Sequence, residues 1–192
     1  MRNPISWLPI ASGLLVLVLS VGVGVMTLTS RNNSENYEPA QNLSASASED
    51  LPSMTLSPDE STFTYIPGQS YPIGILIDSM GKSVDGVDVI ILFDPSRVTV
   101  VGDRLTAGSV FTDVPLNKID NTVGKVRFSA LTFDAKPVNG ILGTFRIMPK
   151  SAGEVNLTFD FTPGATTDSN MAEHGTADDV LGKVVNAKYL FE

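Results

Sequence analysis

Alternation of apolar and polar positions organises most of this chain. In "YPIGILIDS" Ile73, Ile75 and Ile77 fall on one face of an extended segment, and Gly74 and Leu76 fall on the other. In "VDVIILFDPSRVTVV", residues 87 to 101, Val87, Val89, Ile91 and Phe93 share a face that carries no polar residue, which assigns that face to a core. The opposite face presents Ile90 and Leu92 beside Asp88. The run stops at Asp94-Pro95-Ser96-Arg97 and resumes at Val98, which predicts two strands joined by a tight turn.

The same pattern recurs from about Met54 onward. "SMTLSP", "TFTYI", "SYPIGILIDS", "VDGVDVIILFD", "RVTVVG", "LNKID", "KVRFSALTF", "ILGTFRIMP", "EVNLTFDF" and "VVNAKYLF" are β-branched and aromatic runs bounded by Gly, Pro, Asn and Asp. No apolar residues recur there at helical spacing over three turns. About nine short strands with closely spaced turn signals predict an all-β sandwich or barrel.

The N-terminal part reads differently. No charge lies between Arg2 and Arg31, and "WLPIASGLLVLVLSVGVGVMTLT" supplies the roughly 20 apolar residues that a membrane-crossing helix needs. A cleaved signal peptide has a shorter apolar region followed by a small-x-small site, so residues 1–30 are expected to be an uncleaved transmembrane anchor, with a signal sequence as the alternative. Arg2 and Arg31 balance under the positive-inside rule, and the large acidic C-terminal part is more naturally placed outside. The expectation is a single-pass membrane protein with an extracytoplasmic C-terminal domain. Residues 31–52 are rich in Ser, Asn, Ala and acids and predict a flexible linker, with a reach of roughly 25 to 30 Å. Residues 53–192 are long enough for one domain with a core of its own.

Composition narrows the chemistry. A net charge of -8 without a Lys/Arg cluster argues against a nucleic-acid partner. The chain has no Cys, which removes disulfides, thiolate metal sites and a cysteine nucleophile. The one His, His174, lies in the polar stretch "DSNMAEHGTADD" and is expected to be a solvated loop residue. No Ser occupies a Gly-x-Ser-x-Gly turn, and the Asp178-Asp179 carboxylates lack nearby aromatics that would build a sugar cleft. An enzyme is therefore not expected. Asp160, Asp168, Asn170, Glu173, Asp178 and Asp179 crowd into 20 residues, a composition that suits hard cations, but their spacing does not follow the EF-hand template. Asp168, Asp178 and Asp179 are the weak calcium candidates, against a reading as an acidic solvated loop.

Four stretches in order carry a family resemblance: "GVDVIILFDPSRVTVVG" from 86, "GSVFTD" from 108, "VGKVRFSALTF" from 123 and "GILGTFRIMPKSAGEVNLTF" from 140. Their succession resembles a cohesin domain over roughly residues 53–192. The resemblance implies a nine-stranded jelly-roll β-sandwich that binds dockerins, small calcium-loaded helical modules of partner proteins. Calcium would then belong to the partner, and no cofactor is expected on this chain. The outward face of the first strand would join the docking sheet, with Asp88 where cohesins often place a polar residue against the dockerin. Gly86 stands where some members carry Asn. For the second docking strand the resemblance turns Val126, Phe128 and Ala130 outward, whereas burial favours hiding Phe128 and exposing Arg127 and Ser129. The partner-binding candidates are Asp88, Ile90, Leu92 and Phe128.

A membrane anchor, in place of a scaffold with many cohesins, suggests a single receptor that tethers a dockerin-bearing protein to the cell surface. The alternative is a carbohydrate-binding or adhesive module on the same fold, with a polysaccharide as ligand. Sugar binding on a sandwich face uses exposed aromatic platforms, and the only Trp lies in the N-terminal apolar segment.

Overall fold

A computed structural model describes residues 50–192; the expected anchor and nearly all of the expected linker lie outside them. Among the described residues every regular element is a strand, and no helix is long and apolar enough to cross a membrane. Two long strands, β3 (Tyr71–Phe93) and β7 (Lys125–Pro149), form the spine. Around them lie β1 (Ser53–Ser57), β2 (Glu60–Phe63), β4 (Val98–Val100), β5 (Thr106–Ala107), β6 (Asp113–Asp120), β8 (Gly153–Phe159), β9 (Asn170–Glu173), β10 (Lys183–Val185) and β11 (Ala187–Phe191).

Each spine strand serves two layers. The first half of β3 pairs with β1 and with the second half of β7, from Tyr71 opposite Ile147 to Asp78 opposite Asn139. Its second half pairs with the first half of β7, from Gly86 opposite Leu131 to Leu92 opposite Lys125, and on its other side with β9 and β8. The switch between layers falls at Ser79–Lys82, where Met80 and Gly81 adopt φ of 50° and 83° and the pairing register shifts. A left-handed non-glycine residue is costly, and local hydrogen bonds hold it. Met80 N–H donates to Asp78 Oδ1 at 2.7 Å, and the buried Ser79 hydroxyl accepts from Val138 N–H at 3.0 Å.

The expected alternation is realised. Ile73, Ile75, Ile77, Val87, Val89, Ile91 and Phe93 line the core with Val126, Phe128, Ala130, Phe145, Ile147, Leu157, Tyr189 and Phe191. Each large apolar side chain so buried contributes about 1.5–3 kcal/mol. Two pairs of expected strands fuse into β3 and β7, each of which runs on through a bend where the register shifts and where the sequence reads as a break. The polar stretch expected to be a loop contributes β9, and β5 is a further short strand.

The Asp94–Arg97 turn is present but joins no hairpin. Asp94 Oδ1 accepts from Ser96 N–H at 2.8 Å and from the Ser96 hydroxyl at 2.6 Å, and its carbonyl accepts from Arg97 and Val98 N–H. These bonds, the Ser96 hydroxyl first, hold the Asp94 carboxyl below its ordinary pKa. The turn delivers the chain to β4, which pairs with the far end of β7, so it is a change of layer. Gly124, at φ 72°, closes the β6–β7 turn against Phe93, where a Cβ would lie 2.0 Å from the Phe93 carbonyl oxygen. Only glycine fits that contact.

Candidate functional site

The outward side of the second halves of β3 and β7, with β6 on one flank and β9 and β8 on the other, forms a four-strand face ordered by the register. Its first row sets Leu131 beside Gly86, and its second runs Leu116, Ser129, Asp88, Asn170. The third runs Lys118, Arg127, Ile90, and the fourth Asp120, Lys125, Leu92, Thr158. Asp88, Ile90 and Leu92 are half-buried and point away from the core. These three candidates are together on one surface, as the alternation requires.

Phe128 is not on it. The side chain is 1% exposed and packs in the core with Val126 and Ala130, in register with Val89. Phe128 therefore leaves the set of partner-binding candidates. A strand with period two cannot turn Phe128 outward without burying Arg127, and an unpaired guanidinium inside a dry core is far costlier than an exposed ring. Arg127 and Ser129 take the outward positions instead.

Asp88 is held in place. Ser129 donates its hydroxyl to Asp88 Oδ1, and Asn170 Nδ2 lies 3.4 Å from Oδ2. Asn170 Nδ2 also donates to the Asp168 carbonyl at 3.0 Å. Between β8 and β9 the ladder beside Ile90 is completed by a side chain. The buried Ser169 hydroxyl accepts from Ile90 N–H at 3.0 Å and donates to Ile90 O at 3.2 Å, and Asp160 N–H reaches the same carbonyl at 2.9 Å. The sequence offers Asn170 only as part of a cation-suited acidic stretch and Arg127 only as the outward alternative to Phe128, and it gives no role to Ser169. Ser169 and Asn170 carry no pattern signal, since they sit in a stretch whose composition reads as loop.

A hollow of about 180 Å³ is lined by Asp88, Ile90, Leu116, Arg127 and Asp168 among others. Beyond Leu92 a wider groove of about 530 Å³ runs between Phe93, Arg97 and the β8 residues Glu154, Asn156 and Thr158.

The calcium candidates do not converge. Asp179 Oδ1 accepts from Met171 N–H at 2.9 Å and Leu181 N–H at 3.0 Å, pinning the chain beyond β9. Asp178 is exposed, and Asp168 is 9% exposed with Oδ1 unpartnered. Among the described residues no three metal-competent side chains gather. His174 is exposed in its loop, with Nδ1 2.7 Å from Asp85 Oδ1. The free-standing aromatic near the face is Phe133, 91% exposed where β7 leaves it; it stands alone and forms no strip.

No family model matches the chain, and no curated protein matches it. Solved structures do. A type II cohesin domain from the cellulosome of Acetivibrio cellulolyticus has a TM-score of 0.60 at 15% identity, covering 72% of this chain and 95% of its own. The sixth cohesin from scaffoldin B of that organism, in complex with a dockerin, has a TM-score of 0.57 at 17% identity, over 74% and 99%. A type I cohesin in complex with a dockerin from Clostridium thermocellum has 0.57 at 12% identity, over 74% and 100%.

The described domain has the cohesin fold. At these identities side-chain chemistry is not shared by default, so the cohesin fold supplies the frame and the face must be judged on its own residues. On this frame the face combines the aliphatics Leu116, Leu131, Ile90 and Leu92, the fixed acid Asp88 and the cations Lys118, Lys125 and Arg127.

Proposed function

We propose that this chain is a docking receptor: a membrane-anchored, extracytoplasmic cohesin-type module that binds a dockerin-bearing protein and tethers it to the cell surface. One observation carries the reading. Asp88, Ile90 and Leu92 form an uncapped, half-apolar row on a sheet of the cohesin fold, with Asp88 already oriented by Ser129. Dockerins are the partners in the related complexes, and a helical module could lay an apolar stripe along that row. The domain acts by binding and not by catalysis. The uncharged stretch from Asn3 to Ser30 supports the anchor, and the polar linker after it would hold the domain just off the membrane.

The test is affinity capture on the domain from the host lysate, with calcium and after chelation, followed by calorimetry with the dockerins recovered. Calcium-dependent binding of a dockerin, weakened by Leu92→Ala, supports the reading. Saturable binding to polysaccharide with no dockerin captured would replace it with the adhesive alternative.

A further inference from the structure

Two cations face each other on the outward surface. Lys118 on β6 stands directly opposite Arg127 on β7, an arrangement that disfavours strand pairing. Neither forms an ion pair among the described residues. The neighbouring carboxylates have other hydrogen-bond or ion-pair partners: Asp160 lies 3.6 Å from Lys125, Asp88 accepts from Ser129, and Asp120, near enough to feel the Lys118 charge, accepts backbone N–H groups of Thr122 and Val123. Lys118, Lys125 and Arg127, with Asp120 and Val123, wall a depression of about 160 Å³. With Asp160 beside Lys125, Lys118 and Arg127 are left as two unpaired cations side by side in a chain whose net charge is -8.

Edge protection explains only part of this. Within the described residues β6 pairs only with β7, and a Lys on such a strand discourages edge-to-edge pairing. Arg127 lies on β7 with β3 and β6 on either side, where no edge needs protecting. Its row neighbour on β3 is Ile90, so the cations continue directly into the aliphatic part of the face.

We propose that the partner meets this face with an acidic surface, a carboxylate seated between Lys118 and Arg127 with apolar side chains beside it on Ile90 and Leu92. This rests on the docking reading above and specifies the partner's chemistry. A guanidinium accepts a carboxylate in a two-pronged geometry, and neutralising the Lys118–Arg127 repulsion adds to the attraction. A nucleic acid does not fit, because its phosphates need a longer cationic track and would meet the acidic remainder of the protein.

The experiment titrates the full chain in nonionic detergent with hexaglutamate, with a peptide alternating Glu and Leu, and with a thymidine hexanucleotide, following the Arg127 side-chain signal by NMR. The expected result is a saturable Arg127 shift with both peptides, tighter for the Glu-Leu peptide, and weakened about tenfold or more at roughly 0.5 M salt or in Lys118→Gln/Arg127→Gln. No Arg127 shift, an equal response in the double variant, or preferred binding of the oligonucleotide would overturn the proposal. With a dockerin that binds the chain, unchanged affinity for the double variant would overturn the acidic contact and leave docking itself standing.

Discussion

Ser129 donates its hydroxyl to Asp88 across the β3–β7 pair, so an acid in the middle of the outward face is oriented before any partner arrives. The two residues are directly opposite in register, and Asn170 reaches the second carboxylate oxygen from β9. A carboxylate has about four acceptor positions, so Asp88 keeps capacity for a donor from outside.

Asp88→Ala removes that acceptor and little else. Dockerin binding should weaken by about 1–3 kcal/mol, the scale for residues central to an interface. Stability should change by about 0.5–1.5 kcal/mol, since the hydrogen bonds lost are only part-buried. Calorimetric titration beside urea denaturation separates the two effects; a loss of binding matched by a loss of folding would place Asp88 in a structural role.

Leu92 and Phe93 are adjacent in sequence and opposite in role. Leu92→Ala should reduce partner binding by about 1–3 kcal/mol while stability moves by less than about 1 kcal/mol. Phe93→Ala should cost roughly 3–5 kcal/mol of stability through lost burial and a cavity. Equal destabilisation by the two substitutions would mean that both faces of this strand are internal.

Phe128→Ala should behave like Phe93→Ala, with a cost of about 3–5 kcal/mol, because the ring is enclosed by the core. A variant that stays fully stable but binds its partner more weakly would restore Phe128 to the docking face.

Ser169→Ala leaves Ile90 N–H without its acceptor in the gap between β8 and β9. An unsatisfied buried group costs about 1–3 kcal/mol. Hydrogen exchange at the Ile90 amide should accelerate well beyond that at Val126 or Ile147. Uniform change across all three amides would argue that Ser169 has no local part in the face.

Tyr189 is buried and donates its phenol to the Pro58 carbonyl at 2.6 Å; desolvation first, then the charge of Asp59, raises its pKa above the ordinary 10.0. The unfolded chain therefore loses this proton before the folded one does. Stability from the neutral phenol is complete below pH 10.0 and declines as pH rises from there toward the folded value. Tyr189→Phe should be less stable than wild type near neutral pH by about 0.5–1.5 kcal/mol, with the gap narrowing above about pH 10. Parallel unfolding free energies across that range would show that burial does not hold the phenol neutral.

Much of this was legible along the chain. The period-two pattern of β3 separates Val87, Val89, Ile91 and Phe93 from Asp88, Ile90 and Leu92 with no reference to any other strand, because successive side chains must leave opposite sides of an extended backbone. The Asp94-Pro95-Ser96-Arg97 stop is equally local, since the Asp94–Ser96 hydrogen bonds that set it lie within the turn. What surrounds the face required the tertiary structure. Phe128 and Arg127 compete for one inward position, and the partner strands decide which has a core to fill. Ser169, Asn170 and Asp179 look like loop residues until β9 is laid against β3, when their side chains bond backbone groups of Ile90, Asp168 and Met171. The Lys118–Arg127 opposition likewise exists only in the register of β6 on β7, a relation between positions that no local pattern records.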